Sequence, residues 1–365
     1  MLTLRLAWKN TVGAGIRTWL NVIVLSVAFV TIIGMQGLYT GMLDRARDAM
    51  IRMELGAGQF WHPEYDPYDP FSLTESHGAI PANLQNAVTR GDAVPILITQ
   101  GSIFPEGRIK PILLKGIPPE QSILEMPTES MAAEDDISAL IGSNMAENTN
   151  LSVGDYITVR WRDANGTYDA ADVRIAHIME TIVQSVDNGQ IWLPLDRLYT
   201  MTGMEDEATL IIRGKGAKNI TVAGNWIFRD IGFLTKEIDE IQDMSDSSLS
   251  IMYFFLLGMG LLAVFDTQVL SLWRRRKEMG TFMALGMTRG TLIRLFTLEG
   301  AMHAILAILV GAVWGLPLLT WFAHTGFTMP EYVEDYGMAL GRSMYPTYGA
   351  QLVIGTVILV FITVT

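Results

Sequence analysis

An uncharged apolar run near the start of the chain constrains its fold more than any other feature. Residues 19–42 contain no Asp, Glu, Lys or Arg, and the run exceeds the ~20 residues that cross a hydrocarbon layer about 30 Å thick. A helix satisfies its backbone hydrogen bonds internally, so it is the form that such a run takes in a membrane. We therefore predict a first membrane-spanning helix at 19–43.

Three further apolar segments predict additional spans at 249–273, 298–322 and 352–365. The second span is interrupted only by Asp266, and the third has Glu299 and His303 in its first two turns. The fourth segment would cover only about 21 Å as a helix, so we expect an incomplete span and a natural protein that continues past Thr365. Half of the residues are hydrophobic and only 18% are charged, which is unusual for a soluble domain.

The distribution of charge predicts the orientation of these spans. Bases precede the first span, and six more lie between the second and third: Arg274, Arg275, Arg276, Lys277, Arg289 and Arg294. By the positive-inside rule both segments face the cytoplasm. Residues 44–248 carry 32 of the 38 acidic and 16 of the 26 basic residues, so this domain is predicted to be outside, together with the loop 323–351. Residues 1–18 predict a cytoplasmic amphipathic helix.

The segment 44–248 predicts a mixed α/β domain. Strand-like stretches bounded by Gly, Pro or Asp lie at 94–99, 111–114, 156–161, 173–178, 190–193 and 208–212. Helices are predicted at 79–90, 136–148 and 196–202. Asn165-Gly166 predicts a hairpin turn. Apolar residues at helical spacing on both flanks predict helical stalks, which either transmit movement or only hold the domain upright.

Together these patterns predict an α-helical membrane protein with four transmembrane helices, the fourth incomplete. A mixed α/β extracytoplasmic domain of about 205 residues, 44–248, lies between helices 1 and 2. The segment 274–297 is a cytoplasmic loop. The predicted location is the cell inner membrane, with a cytoplasmic N-terminus and a periplasmic or extracellular domain.

The chain lacks common sequence signatures of catalysis. It has no G-x-x-x-x-G-K-[ST], H-E-x-x-H or G-x-S-x-G motif and no cysteine. His62 with Glu64, Asp66 and Asp69 could bind a cation, but the prolines among them favour an extended surface loop, and we predict no metal site. We therefore expect no catalytic site and no cofactor in this chain. The net charge of −12 argues against nucleic acid as a partner.

Asp266 is an ionisable residue inside a predicted span. Such a group is costly in hydrocarbon and usually faces a protein interior or a polar cavity. Thr267 and Gln268 make the same turn polar. Two readings remain open. The first is a hydrogen-bonding site in a dimer interface or translocation path. The second is a structural polar patch between helices, or a side chain that reaches the cytoplasmic boundary, and of these we favour the interhelical structure.

The segment 274–300, RRRKEMGTFMALGMTRGTLIRLFTLEG, resembles FtsX-like permeases. The family reads approximately R-R-x-E-I-G-x-L-x-A-L-G-x-(S/T)-x-x-x-I-x-x-L-F-x-x-E-G there. The matching residues are Arg275, Arg276, Glu278, Gly280, Ala284, Leu285, Gly286, Thr288, Ile293, Leu295, Phe296, Glu299 and Gly300. The start LAWKNTVGAGIRTWL and the stretches ELGAGQF, LIGSNMAENTNLSVGDYITV and GQIWLPLDRLYTM are also similar to family segments.

By architecture the resemblance is greatest to permease subunits of lipoprotein-releasing (LolC/LolE-like) and MacB-type ABC transporters. It implies that a short cytoplasmic helix docks on a separate ATPase subunit, which binds ATP and Mg. The residues this assigns to the ATPase-coupling helix are Lys277, Glu278, Met279, Gly280, Phe282, Met283, Leu285 and Gly286. Arg274, Arg275 and Arg276 are assigned to topology. The chain departs from the family in lacking a fused ATPase and a basic tail, and in having Asp266 where Asn is commoner.

The resemblance further implies a membrane unit of two permeases, with a second copy or a paralogue as partner. Membrane lipid and a periplasmic acceptor or lipoprotein are the other expected partners. Three functions follow. The first is a permease that uses ATP hydrolysis to move an amphiphilic substrate such as a lipoprotein or lipid. The second is an FtsX-like non-transporting mechanotransducer that controls an extracellular hydrolase, and the third is a ligand-binding membrane receptor.

Overall fold

The computed structural model describes residues 13, 15–132, 136–217, 224–328 and 343–364. Most of the predicted amphipathic helix at 1–18, and residues 329–342 of the predicted loop 323–351, lie outside this set. The described residues form two compact units. The helical unit comprises residues up to Asp44 together with those from Glu240 onward, and the barrel unit comprises Arg45–Asp239.

The helices of the described residues are α1 Ile16–Met50, α2 Ala82–Thr89, α3 Ser143–Thr149, α4 Gln184–Asp187, α5 Leu195–Thr202, α6 Ile231–Leu234, α7 Lys236–Arg274, α8 Arg276–Ala284, α9 Arg289–Thr325 and α10 Ala350–Val364. A π-helical turn, Ile51–Leu55, follows α1, and short 3-10 helices occur at Pro70–Thr74, Pro105–Gly107 and Thr128–Met131.

The strands are β1 Gln59–Trp61, β2 Gly78–Ala79, β3 Ala93–Ile103, β4 Lys110–Ile117, β5 Ser138–Gly142, β6 Tyr156–Arg162, β7 Tyr168–Met179, β8 Gln190–Pro194, β9 Glu207–Ala208, β10 Leu210–Arg213, β11 Ile227–Arg229, β12 Phe327–Thr328 and β13 Ser343–Met344.

Six strands of the barrel unit close into a ring. Their order is β3-β4-β8-β5-β7-β6, and β6 returns to pair with β3. β4–β8 and β5–β7 are parallel, and the other pairings are antiparallel. The length of β3 makes this possible, because residues 93–96 pair with β10 while residues 101–103 pair with β6. The strands β10, β1 and β11 therefore extend the sheet beyond the ring.

The ring encloses an apolar core. Along β6 the buried positions alternate with exposed ones, so that Ile157, Val159 and Trp161 point inward, as the period of two requires. Gly101 lies where β3 bends towards β6, and a Cβ there would lie 3.2 Å from the carbonyl oxygen of Arg160. A glycine thus permits the close strand approach that closure needs.

The predicted hairpin at Asn165-Gly166 is confirmed as the connection between β6 and β7. Its turn differs from a two-residue one, because only Gly166 has a positive φ, 83°. The N–H of Gly166 donates to the carbonyl of Asp163, whose side chain accepts from the N–H of Thr167. An Asp side chain that caps backbone N–H groups locally is a known alternative way to stabilise a turn.

The predicted helix at 136–148 is wrong in its first half. Residues Ser138–Gly142 form β5, which is fully buried and lies between β7 and β8, and only Ser143–Thr149 is helical. A short apolar run has no periodicity that separates a central strand from a buried helix. Pairing with β7 and β8, which come later in the chain, decides in favour of the strand.

The other two predicted helices of this domain are confirmed with small shifts in bounds. Helix α2 is shorter than the predicted 79–90, and α5 agrees with 196–202 to one residue. The predicted strand at 208–212 is divided between β9 and β10. The strands β1 and β11 were not predicted, since each has only three residues.

Within the part of the chain that the structure describes, three helices are long and apolar enough to cross a membrane. They are found within Thr18–Leu55, Lys236–Leu262 and Arg289–Thr325, and the shorter α10 is also apolar. The chain thus has helices that can span a membrane and a mixed α/β domain with a barrel-like sheet. The predicted count of four spans and their exact bounds remain predictions.

Helix α1 is the most buried element of the helical unit. Its residues Val22, Leu25 and Phe29 pack in one apolar cluster with Tyr253 of α7 and Ala304 of α9. Against α9 the backbones come close, because a Cβ at Gly315 would lie 2.5 Å from Val30 and one at Gly311 would lie 3.0 Å from Phe29. Small residues four apart are a common means of close helix packing in membranes.

Gly315→Ala is expected to destabilise the helical unit, because the added methyl group overlaps with Val30 and overpacking costs about 1–3 kcal/mol. Thermal unfolding of the full chain in detergent measures the effect. Gly258→Ala in α7 is the matched control, since nothing lies within 4 Å of its added Cβ, and alanine favours a helix. Equal unfolding temperatures for the two variants would contradict the close α1–α9 packing.

Candidate functional site

A turn at Arg275 separates α7 from α8. Helix α7 ends at Arg274 and α8 begins at Arg276, while Arg275 has φ −92° and ψ 11° and interrupts the α-helical backbone. The Nε of Arg275 lies 3.1 Å from Oε2 of Glu278, and Nη1 lies 3.3 Å from Oε1 of Glu299. One guanidinium therefore joins the first turn of α8 to α9.

The ion pair between Arg275 and Glu299 is important because Glu299 is buried. It is only 5% exposed, and a buried carboxylate is strongly unfavourable unless it is paired. In the same helix the Nδ1 of His303 lies 2.7 Å from the backbone oxygen of Glu299. Burial by itself lowers the pKa of Arg275, but the hydrogen bonds and charges of Glu278 and Glu299 raise its pKa overall. The guanidinium therefore stays charged.

Sequence reasoning assigned Arg275 to topology alone and missed this ion pair. The sequence did contain a signal for this ion pair, because Glu299 is an acidic residue within a predicted span and such a residue requires a cation as partner. The separation of 24 positions in sequence hid the partner, since only the return of the chain through α8 into α9 brings the two residues together. Arg274 and Arg276, by contrast, are exposed on either side of Arg275.

The ATPase-coupling helix was predicted at Lys277 to Leu285, and the structure has a helix there, α8 Arg276–Ala284, one residue earlier at each end. Its role in coupling remains a prediction. Gly286 ends it with φ 94°. The N–H of Gly286 donates to the carbonyl of Met283, and the N–H of Met287 donates to that of Phe282, both at 3.0 Å. This is the Schellman pattern, which requires a left-handed residue and so favours glycine.

Helix α8 buries none of its residues within the described chain. Met283 is 46% exposed and Leu285, which follows the helix, is 80% exposed. Met279 and Phe282 are half-buried. The remaining predicted site residues are exposed: Lys277, Glu278, Gly280 and Gly286. A short helix that presents apolar side chains beside charged ones is suited to contact another protein.

Met279 differs from the other apolar residues of α8. It lines an open cavity of about 370 Å³ with Leu272 and Trp273 of α7 and with Arg276. The sequence grouped Met279 with Phe282, Met283 and Leu285 as one docking set. The structure directs it back towards the end of α7 instead.

Asp266 is exposed on α7, and the side chains of Thr267 and Gln268 lie outside the described set. The backbone of all three is helical. Neither reading of Asp266 is tested by this arrangement. Among the described residues, no group of three His, Asp or Glu side chains is arranged to hold a metal ion.

The barrel unit contains a buried ion pair that sequence reasoning also missed. Nζ of Lys115 on β4 lies 2.7 Å from Oε1 of Glu54 in the π-helical turn, and their side chains are 8% and 14% exposed. Glu54 also accepts a 2.6 Å hydrogen bond from Ser185. The ammonium lies 4.9 Å from the centre of the Trp192 ring. These contacts fix the turn that follows α1 to the strands of the barrel.

The described fold and site define a membrane protein with a short exposed helix between two apolar helices. Comparison with protein families identifies it further, because residues 250–365 match the family described as FtsX-like permease C-terminal. The match includes most of α7 and all of α8, α9 and α10. The resemblance to FtsX-like permeases is thereby confirmed, and this C-terminal part of the chain is an FtsX-like permease region.

Among solved structures, the chain is similar to the extracellular domain of the noncanonic ABC-type transporter YknZ from Gram-positive bacteria. The identity is 13%, and the match covers 44% of this chain and 84% of that one, with a TM-score of 0.28. A similarity of this extent supports no conclusion about the barrel unit. No match to a curated protein is found.

Proposed function

We propose that this chain is the permease subunit of a MacB/LolCDE-type ABC transporter and that α8 contacts a separate ATPase subunit. The observation that carries the proposal is the exposure of Met283 and Leu285 on and after α8, in a region that matches FtsX-like permeases. Burial of such side chains against a partner would contribute free energy roughly in proportion to the apolar area. ATP and Mg would bind to the partner, not to this chain.

The contacts of α8 support a mechanical form of coupling. Arg275 ties the start of α8 to Glu299, so a displacement of α8 would act on α9 as well as on α7. Helix α7 is continuous from Lys236 to Arg274, which makes it a rigid element over its length. Movement of packed helices of this kind is an established means of transmission.

The proposed substrate is amphiphilic, such as a lipoprotein or a lipid. The helical unit supports this, because it has a central cluster of apolar side chains such as Val22, Leu25, Ile32, Ala307 and Val360. A few polar groups, among them Glu299 and His303, are also buried in this unit. An aqueous path for a polar solute would instead require polar groups along it. A second permease copy or paralogue, membrane lipid and a periplasmic acceptor are the further proposed partners.

Co-purification tests the proposal. The tagged chain, expressed in its native host and solubilised in mild detergent, is expected to retain an ABC ATPase subunit at a fixed ratio. The purified complex is expected to hydrolyse ATP, whereas the chain alone is not. Failure to retain the ATPase would contradict both the transporter and the mechanotransducer. Detergent-solubilised chain without its tag is the control for non-specific capture.

A transport assay distinguishes the transporter permease from the FtsX-like mechanotransducer. In reconstituted vesicles the complex is expected to release a labelled lipoprotein or lipid only when ATP is present. An active ATPase complex that releases neither substrate but stimulates an extracellular hydrolase would favour the FtsX-like mechanotransducer instead.

A further inference from the structure

The bases around Arg275 divide into two groups. Arg275 is turned inward to Glu278 and Glu299, whereas Arg274 and Arg276 are exposed. Within the described residues neither of these two forms an ion pair with a carboxylate. A base that only sets topology needs no partner besides water, but the guanidinium of Arg276 lines a cavity and can donate hydrogen bonds to an anion there.

The cavity at this position combines charge with an apolar wall. Arg276 contributes the cation, while Leu272, Trp273 and Met279 contribute the apolar surface. The cavity has a volume of about 370 Å³ and is wide open to the surface, so a ligand in it would be held against one wall and not enclosed. A ligand that fits both parts of this lining has an anionic group joined to an apolar one.

The position of the cavity relative to the predicted span restricts the class of ligand further. Trp273 is the last residue of the apolar segment before the arginines and is 70% exposed, as is typical of tryptophan at the boundary of hydrocarbon and water. Two helical turns earlier on α7, Phe265 is 62% exposed at the spacing that places it on the same face as Leu272. Apolar side chains are therefore exposed on this part of α7 both at the cavity and two turns further towards the membrane interior.

We propose that this cavity binds the head group of one anionic phospholipid. Arg276 donates to the phosphate, Arg274 adds positive charge two residues earlier in the chain, Trp273 and Leu272 contact the glycerol and upper acyl region, and the acyl chain follows α7 past Phe265. Clusters of bases directly after a span attract anionic lipid, and the cavity adds a defined position. The ATPase is the less favoured occupant, because Met283 and Leu285, through which α8 is proposed to contact the ATPase, do not line this cavity.

This inference goes beyond the proposed function and does not depend on it, because lipid binding is measured on the chain alone. The full chain in detergent is mixed with phosphatidylglycerol or with phosphatidylcholine of the same acyl composition. Native mass spectrometry then measures how much of each lipid the chain retains after its release from detergent. One phosphatidylglycerol is expected to be retained, at least about tenfold more strongly than phosphatidylcholine. Equal retention of the two lipids would overturn the proposal.

A pair of double variants separates a defined site from general attraction. Arg274→Gln with Arg276→Gln is expected to reduce phosphatidylglycerol retention roughly tenfold or more. Arg289→Gln with Arg294→Gln removes the same charge from other exposed positions of α9 and is expected to change retention less than about twofold. Equal losses in both double variants would show diffuse electrostatics and overturn the proposal.

Fluorescence keeps the test independent of folding effects in those variants. In nanodiscs that contain brominated phosphatidylglycerol, the lipid bromine quenches the fluorescence of tryptophans that it contacts. The difference in quenching between the unmodified chain and Trp273→Phe therefore reports contact of lipid with Trp273. This difference is expected to exceed that with brominated phosphatidylcholine and to persist in millimolar inorganic phosphate. Removal of the difference by phosphate would assign the site to a free anion, and its removal by added ATPase would assign the site to the protein partner; either result overturns lipid binding.

Discussion

Met283→Asp is expected to abolish the stimulation of the partner ATPase while the chain still folds and inserts in the membrane. Met283 is 46% exposed on α8, so the carboxylate is readily hydrated in the free chain. In the proposed complex the same carboxylate would lie in an apolar contact, and loss of a central interface residue costs about 2 kcal/mol or more. This corresponds to at least about thirtyfold weaker assembly.

The measurement is ATP hydrolysis by the reconstituted complex, together with the amount of ATPase that co-purifies. Thr281→Asp is the matched control, because it adds the same charge to an exposed, polar position of the same helix and is expected to retain most of the activity. Full stimulation in Met283→Asp would refute α8 as the contact. Loss in both variants would mean that any negative charge on α8 is sufficient, and that Met283 has no specific part.

Lys115→Met is expected to destabilise the barrel unit severely. The substitution leaves Glu54 without its cation in a site where the side chain is 14% exposed. Removal of one partner of a buried pair costs about 3–5 kcal/mol. For a unit of this size that lowers the unfolding temperature by roughly 10 °C. Thermal unfolding of the full chain in detergent, followed by tryptophan fluorescence, measures the change.

Two variants control this result. Arg90→Met breaks an ion pair of 3.0 Å whose side chains are 64% and 36% exposed, and exposed pairs contribute at most about 1 kcal/mol. The double variant Lys115→Met with Glu54→Leu removes both charges and is expected to recover a large part of the stability, because no unpaired carboxylate remains. An unfolding temperature in Lys115→Met equal to that in Arg90→Met would refute the structural role of the pair.

The bounds of α8 were predictable because their signals are local. Its start lies within a run of bases, and its end is set by Gly286, whose positive φ of 94° is a conformation that glycine adopts without strain. The hairpin at Gly166 was predictable for the same reason. The match of residues 250–365 to FtsX-like permeases confirms what the segment 274–300 indicated, although the role of each residue in it remains a prediction.

The closed ring of strands was not predictable from local pattern. Ring closure depends on β3 pairing with β6, and β5 is a strand only because β7 and β8 lie on either side of it. Residues 138–142 alone are a short apolar run that suits either type of structure. Pairing between strands distant in sequence therefore changed both the secondary structure at β5 and the architecture of the domain.

The sequence by itself determined which segments are apolar enough to enter a membrane, which residues carry charge, and where α8 begins and ends. These properties depend on composition and on neighbours within a few residues. Only the tertiary structure decided which charges are paired. Arg275 with Glu299 and Lys115 with Glu54 are brought together by folding across 24 and 61 residues, and burial makes each pair necessary because water no longer stabilises the separate charges.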